Sequence, residues 1–423
     1  MQNTTAYQIS TKSTASAQIL FGIFFTNVSF AKYITATKNV RETLTRKKPR
    51  GHWEPAEMNQ FDHAGINPNA FLQLDNYINN FEKIQNVVSD RLFGIPNTGA
   101  HPWLSVVVPT YNRKKLFREA LNSVLQQQSV EYNWELLVVD NTPLDENGYT
   151  PALEVVLEVN DPRVLYYHNR ENLDTGYNWN RGVELARGEW ICFLHDDDVL
   201  CPDALCNIRR QICGYRGKKP LGYLHGRRLD FIDNCAPNLE KWFPPERLTR
   251  FGVLLSGCTG AGSPTCGTVV RKAAYVEAGG INYDFGLSAD AVLCYKIMRS
   301  YAVICSDRLL GGCRWGENDT LHKENILRMI RSDELLSRYT YEQSRFALWW
   351  GRVFGAASSW RNIYRKRKVA EQNRILITEE EYRTATEYPK PGRCRRAVFW
   401  VLYAVYRFAR LADGLLQGLK TTG

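Results

Sequence analysis

No Cys-x-x-Cys pair occurs in the 423 residues, although the chain has eleven cysteines. Paired spacing is the usual mark of a structural zinc site, and an odd, scattered set does not read as a secreted disulfide framework. The cysteines therefore fit a reducing compartment. Also missing is any run of about 18 uninterrupted apolar residues, which argues against a membrane-spanning helix. The apolar segment Ile19–Phe25 has Lys12 before it and Ser29-Phe30-Ala31 after it. Its core is too short and its start too weakly basic for a secretory leader, so it reads as an internal amphipathic element. No Gly-rich loop bearing Arg or Lys follows the first strand of the α/β region, and such a loop would be needed to cradle a triphosphate. Positive charge is plentiful: the net charge of +10 favours anionic partners such as nucleotides, nucleic acid or acidic lipid headgroups.

Residues 1–100 read as an N-terminal extension, partly helical. Residues 1–16 are polar, 41–52 are a basic arm, and 70–92 carry apolar residues at helical spacing (Leu74, Tyr77, Ile78, Phe81, Ile84, Val87, Val88). From Trp103 the pattern becomes an alternation of apolar strands and amphipathic helices. Strands are expected at Leu104–Val108, Leu136–Val139, Val164–Tyr167 and Trp190–Leu194. Helices are expected at Lys114–Gln127, Pro151–Val159 and Tyr177–Arg187, the last ended by Gly188. Buried strands alternating with helices predict a mostly parallel sheet covered on both faces, with a ligand across the carboxyl ends of the strands. Three strands end in polar groups at Thr110–Arg113, Asp140-Asn141 and His195–Asp198, and these ends should line one crevice. Residues 220–320 are richer in Gly and short strands. Gly257–Gly267 and Gly279-Gly280 suggest tight turns near a ligand, and a boundary is expected near Asp319.

The third of those strand ends is the most informative. Burying an unpaired carboxylate costs several kcal/mol, so Asp196-Asp197-Asp198 belongs at an exposed strand end. Three mutually repelling carboxylates suit a hard divalent ion such as Mg²⁺ or Mn²⁺, which shares coordination with substrate phosphates. The ordinary alternative is a solvated acidic turn before a helix starting near Pro202. Asp196 and Asp198 would share one side of an extended segment, but which carboxylates touch the ion is left open. His195 is either a neutral ligand or a nucleotide contact.

Taken in order, residues from about Pro102 to Asp319 resemble family 2 inverting glycosyltransferases of the bacterial surface-polysaccharide type. Five pieces carry the resemblance: Val107–Arg113; Leu137–Asn141; Asn180-Arg181-Gly182 with Ala186–Ile191; Phe193–Asp198 with Pro202; and Gly279-Gly280-Ile281 followed by Leu287–Asp290 and Leu293-Cys294. The resemblance implies the GT-A nucleotide-diphospho-sugar transferase fold over 101–320, with 321–423 as a helical appendage. It implies nucleotide contacts from Pro109, Thr110, Tyr111, Arg113, Asp140, Asn180 and Asp196. Tyr111 would stack on the base and Asp140 would accept from its ring N–H, favouring UDP or dTDP donors. Asp196, Asp197 and Asp198 would hold Mn²⁺ or Mg²⁺, and Asp290 would be the catalytic base. The family usually has a Glu-Asp pair where this chain has Ala289-Asp290, and many relatives have Asp where it has His195. Arg314, Trp315 and His322 would lie in a mobile loop over the diphosphate. Cys258 and Cys266 are expected to be packing residues.

The expected activity is metal-dependent, inverting transfer of a sugar to a hydroxyl of a saccharide or lipid-linked acceptor, in surface polysaccharide or glycolipid synthesis. The alternatives are a non-catalytic nucleotide- or membrane-binding relative and a sugar-phosphate nucleotidyltransferase. Phe346–Lys368 and Ala397–Leu411 combine Trp and Tyr with Arg. These stretches suit helices lying on an anionic membrane, so the expected location is the inner face of the cell membrane, without nucleic-acid binding.

Overall fold

The computed structural model describes residues 74–420 apart from 75, 98, 100, 129, 233–245, 249–265, 316–321 and 343. The basic arm, most of the Gly257–Gly267 stretch, Cys258 and the Asp319 boundary lie outside the described residues. Helix was expected over 70–92; the described part instead holds a 3₁₀ turn, Asn80–Lys83, and a strand β1, Ser89–Phe93. The Asn79 side chain caps the 3₁₀ turn, while the Asn80 backbone N–H and side chain both bond to the Gly279 carbonyl. Tertiary partners thus overrode the local periodicity. Strand β1 pairs antiparallel with β4 (Val164–Asn169), so the sheet takes in part of the stretch expected as an extension.

The expected alternation follows as β2 (Leu104–Thr110), α1 (Lys115–Leu125), β3 (Trp134–Asp140), α2 (Pro151–Val159), β4, α3 (Thr175–Leu185) and β5 (Trp190–Phe193). Strands β4-β3-β2-β5 are mutually parallel neighbours. Every residue of β2 is buried, as expected for a strand with helices on both faces. Its side chains alternate between two cores: Leu104, Val106 and Val108 pack with α1 and α2, whereas Val107 packs with α3. Helix α1 buries Phe117, Ala120, Leu121 and Val124, a single apolar face. Pro109 is tolerated within β2 because its nitrogen points toward β5, whose pairing with β2 ends at Val107 and Phe193.

Beyond β5 come β6 (Val199–Leu200), α4 (Ala204–Gly214), β7 (Leu221–Ile232), β8 (Glu246–Leu248), β9 (Thr268–Arg271) and α5 (Lys272–Glu277). A 3₁₀ segment Tyr283–Ser288 then leads into α6 (Ala289–Ile297) and β10 (Ala302–Trp315). The sheet order is β1-β4-β3-β2-β5-β9-β7-β10-β6, with β8 paired to β10. Strand β9 runs antiparallel between β5 and β7, and β10 runs parallel to β7. The described residues carry the expected α/β GT-A arrangement: a parallel half joined to a mixed half. Helices α7 (Lys323–Glu342), α8 (Arg345–Gln372), α9 (Glu379–Thr384) and α10 (Arg393–Lys420) complete it, matching the helical region expected from residue 321. None of the described helices is long and apolar enough to cross a membrane.

Gly188 does not end α3 as a left-handed cap. The helix stops at Leu185, and Gly188 donates its N–H to Ser105 Oγ at 2.8 Å. A Cβ at Gly188 would sit 2.6 Å from the Ser105 backbone nitrogen. Gly188→Ala is expected to cost about 1–3 kcal/mol through this overpacking. Thermal unfolding reads it directly; an unchanged midpoint contradicts the close approach.

Candidate active site

Strands β2, β3 and β5 deliver their polar ends to one place, as the parallel order requires. Thr110 Oγ1 donates to Asp196 Oδ2 at 2.8 Å, and the Tyr111 N–H reaches the same oxygen at 3.4 Å. Asn112 turns the chain with φ of 50° and donates its N–H to Thr142 Oγ1 at 2.7 Å, joining the β2 and β3 ends. Tyr111 stands 52% exposed, leaving a ring face available at the crevice.

The acidic residues form a turn rather than an extended segment: the Asp198 N–H bonds back to the His195 carbonyl at 3.2 Å. Strand alternation therefore does not apply, and Asp196 and Asp198 do not share a side as expected. The ligand-capable atoms of His195, Asp197 and Asp198 all lie within 4.8 Å of one another, while Asp196 turns toward Thr110. Arg113 bridges the turn from the β2–α1 connection, its Nε 3.6 Å from Asp196 and an Nη 3.8 Å from Asp197. The His195 ring lies 5.2 Å from that of Trp179.

Arg113 does not neutralise the turn. Burial, reinforced by the Asp197 charge, pushes the Asp196 carboxyl up to about 6 against the opposing pull of Thr110 and Arg113. Burial likewise raises Asp198. A turn in which Asp196 and Asp198 are pushed toward their neutral forms favours added positive charge. One imidazole nitrogen and two carboxylates converging within one ion's reach fit Mn²⁺, with Mg²⁺ the harder alternative.

Several expected site residues have other partners. Asp140 is fully buried, and its two oxygens accept from the Thr142 N–H and Oγ1, Thr150 Oγ1 and the Tyr166 hydroxyl, at 2.5 to 2.7 Å. With four donors it shapes the floor of the crevice instead of offering a free acceptor to a base. Asn180 is also fully buried: its oxygen accepts from the Tyr275 hydroxyl and the Ile281 N–H, and its amide donates to the Ile281 carbonyl. It pins the Gly279–Ile281 turn to α3, inside the protein rather than against a nucleotide.

Arg314 is not in a mobile loop. It is a buried residue of β10, donating its backbone N–H to Asp198 Oδ1 at 2.9 Å and its Nε to the Asp197 carbonyl at 3.1 Å. Its outer nitrogen pairs with Glu119, and its guanidinium stacks on Phe231 at 4.9 Å. It holds the acidic turn rather than covering a diphosphate. Trp315 ends β10, and His322 is exposed just before α7. Cys266 is buried with its thiol on the Val199 carbonyl, a packing role.

Asp290 lies in the first turn of α6 and accepts the Ala291 N–H at 2.6 Å. Its negative charge adds to burial in pushing the Tyr283 hydroxyl up to about 12. Tyr283 packs on Gly176, where a Cβ would lie 1.6 Å from the ring, bringing the approach to α6 beside the start of α3. Ser288 does not cap α6 with its side chain; it donates to Asp333 at 3.0 Å, and Asn362 donates to the other Asp333 oxygen at 3.1 Å. Asp333 on α7 thus ties the start of α6 to α8. No local signal at Asp333 marks it in the sequence, because its partners lie 45 and 29 residues away.

Residues 105–216 match Glycosyl transferase family 2. Over these residues the chain has a domain similar to family 2 glycosyltransferases. That domain spans β2 through α4 and includes the acidic turn. The putative colanic acid biosynthesis glycosyl transferase WcaA of Escherichia coli is 35% identical over 105 residues, 25% of this chain and 36% of that protein. The GalNAc(5)-diNAcBac-PP-undecaprenol beta-1,3-glucosyltransferase of Campylobacter jejuni is 35% identical over 155 residues, 35% of this chain and 44% of that protein. The abequosyltransferase RfbV of Salmonella typhimurium is 31% identical over 106 residues, 25% of this chain and 31% of that protein. The chain thus spans less than half the length of each of these relatives.

The raised Asp196 pKa has a measurable consequence. A group protonated more readily in the folded state loses stabilisation as pH rises from its ordinary 3.8 to about 6. In chelator, Asp196→Asn is expected to exceed the parent in stability at pH 7 by about 1–3 kcal/mol, the gain fading near pH 4. Chemical denaturation at both pH values measures this; a variant less stable at pH 7 contradicts the assignment.

Proposed function

We propose that this protein is a metal-dependent inverting glycosyltransferase, moving a sugar from a nucleotide-diphospho-sugar to a hydroxyl of a saccharide or lipid-linked acceptor. The observation that carries the reading is the convergence of His195, Asp197 and Asp198 within one ion's reach at the carboxyl ends of parallel strands, with burial raising Asp198, in the stretch that matches family 2. Asp197 and Asp198, with His195, would hold Mn²⁺ or Mg²⁺, which when bound supplies Lewis-acid charge to the leaving diphosphate. Thr110 and Arg113 orient Asp196 at the nucleotide side, and the exposed Tyr111 ring offers a stacking face for the base. Asp290 takes the acceptor's proton as its oxygen attacks, and a single displacement inverts the anomeric centre. Ala289 leaves this base without the acidic neighbour that relatives usually have. Since Asp140 is saturated by internal donors, a UDP or dTDP preference rests on the shape of the crevice floor.

The Campylobacter relative is named for a PP-undecaprenol-linked glycan, which favours a lipid-linked acceptor in surface polysaccharide or glycolipid synthesis at the inner membrane face. No observation favours the nucleotidyltransferase alternative.

The test is release of nucleoside diphosphate from a panel of nucleotide sugars by the full chain with Mn²⁺, with and without bacterial lipid extract. Release from one donor is expected, abolished by chelator and reduced about 10²–10⁴-fold in Asp290→Asn while donor binding persists. Donor binding without release under every condition contradicts catalysis and supports the non-catalytic relative. Undiminished release by Asp290→Asn removes that residue as the base.

A further inference from the structure

Helix α10 packs against α8 on one side and also meets β8. Phe399 is buried, its ring 6.3 Å from that of Phe354 on α8. One turn on, Tyr403 lies under the Arg361 guanidinium at 4.1 Å and accepts a hydrogen bond from it at 2.6 Å. The i, i+4 spacing of Phe399 and Tyr403 fixes which face meets α8.

The face turned away is apolar. Val398, Val401, Leu402, Val405 and Phe408 recur at i, i+3, i+4, i+7 and i+10, one stripe about 120° wide at 100° per residue. All five are exposed, Val401 by 62% and Phe408 by 73%. Trp400 adds an exposed aromatic ring on α10, and the first turns of α8 add Phe346 and Trp349. A solvated helix normally places polar residues on its outward face, so a stripe of this kind marks a partner surface. The helix is too polar on its other sides to span a bilayer, and no described helix qualifies as a span. At its amino end Arg393 and Arg395 are also exposed.

We propose that α10, with the start of α8, is a docking face for an anionic lipid surface. The apolar stripe would enter the headgroup–acyl boundary, Trp349 and Trp400 would sit at headgroup depth, and the arginines would meet lipid phosphates. Charge selects this occupant over a second copy of the chain. A copy seated face to face would add another set of Arg393 and Arg395 and the repulsion of two molecules of net charge +10. A lipid surface of negative charge attracts both. The inference stands apart from sugar transfer, because vesicle binding requires neither donor nor acceptor.

Co-sedimentation of the full chain with vesicles tests it, comparing phosphatidylcholine alone with phosphatidylcholine containing phosphatidylglycerol. Binding to the anionic vesicles is expected, weakened by salt. Val401→Asp with Val405→Asp should lower affinity at least tenfold; both side chains are exposed, so the thermal midpoint should not move. Arg393→Gln and Arg395→Gln should each lower affinity about fivefold. Equal binding by the double Asp variant overturns the proposal. So does a chain that ignores vesicles but forms a dimer, seen by light scattering, that the double Asp variant dissolves.

Discussion

Three neighbouring carboxylates must be carried at the end of a buried strand without tearing that end apart, and much of the site's architecture answers this constraint. Charge repulsion within Asp196–Asp198 is met by donors from elements distant in sequence. Thr110 and Arg113 come from the end of β2, and Arg314 comes from β10. Arg314 is itself held by Glu119 of α1 and by the Phe231 ring, so both halves of the sheet grip one turn. Yet Asp196 and Asp198 remain shifted toward their neutral forms. The protein supplies enough positive charge to fold the turn and too little to satisfy it. A divalent ion fits that residual imbalance.

Helix α6, which carries Asp290, depends on a different set of contacts. Asn180 fixes the Gly279–Ile281 turn, Tyr283 packs into the space left by Gly176, and Asp333 takes Ser288 from the far side. The approach to Asp290 is therefore framed by α3 on one side and by the C-terminal helices on the other. Arg361, next to the Asn362 that holds Asp333, also clamps α10. The helix proposed to dock on lipid and the helix that carries Asp290 thus share a support.

The parallel half of the fold was legible in the sequence because buried strands are continuous apolar runs and their helices are strongly one-sided. The strand-end location of the acidic cluster followed from the cost of burying charge. What the sequence hid was which partner takes each polar group. Asp140 sits at the expected strand end, but Tyr166, 26 residues on, already occupies its oxygen. Asn180 falls within a matching motif, yet Tyr275, 95 residues on, claims it. Arg314, just after Gly311-Gly312, was expected in a loop only through the resemblance. The glycines instead let β10 approach Cys266 and Phe231 closely while it pairs with β7. Periodicity over 70–92 reported burial of Leu74 and Ile84 without specifying helix: Leu74 lies before the 3₁₀ turn Asn80–Lys83, and Ile84 just after it.

The central claim is that His195, Asp197 and Asp198, and not Asp196, form the metal-holding set. Mn²⁺ binding in the presence of uridine diphosphate, followed by electron paramagnetic resonance, tests it most directly. The account predicts that Asp198→Asn and Asp197→Asn weaken Mn²⁺ binding by about tenfold or more, whereas Asp196→Asn leaves it nearly intact. Equal losses in all three variants, or a loss confined to Asp196→Asn, would contradict it.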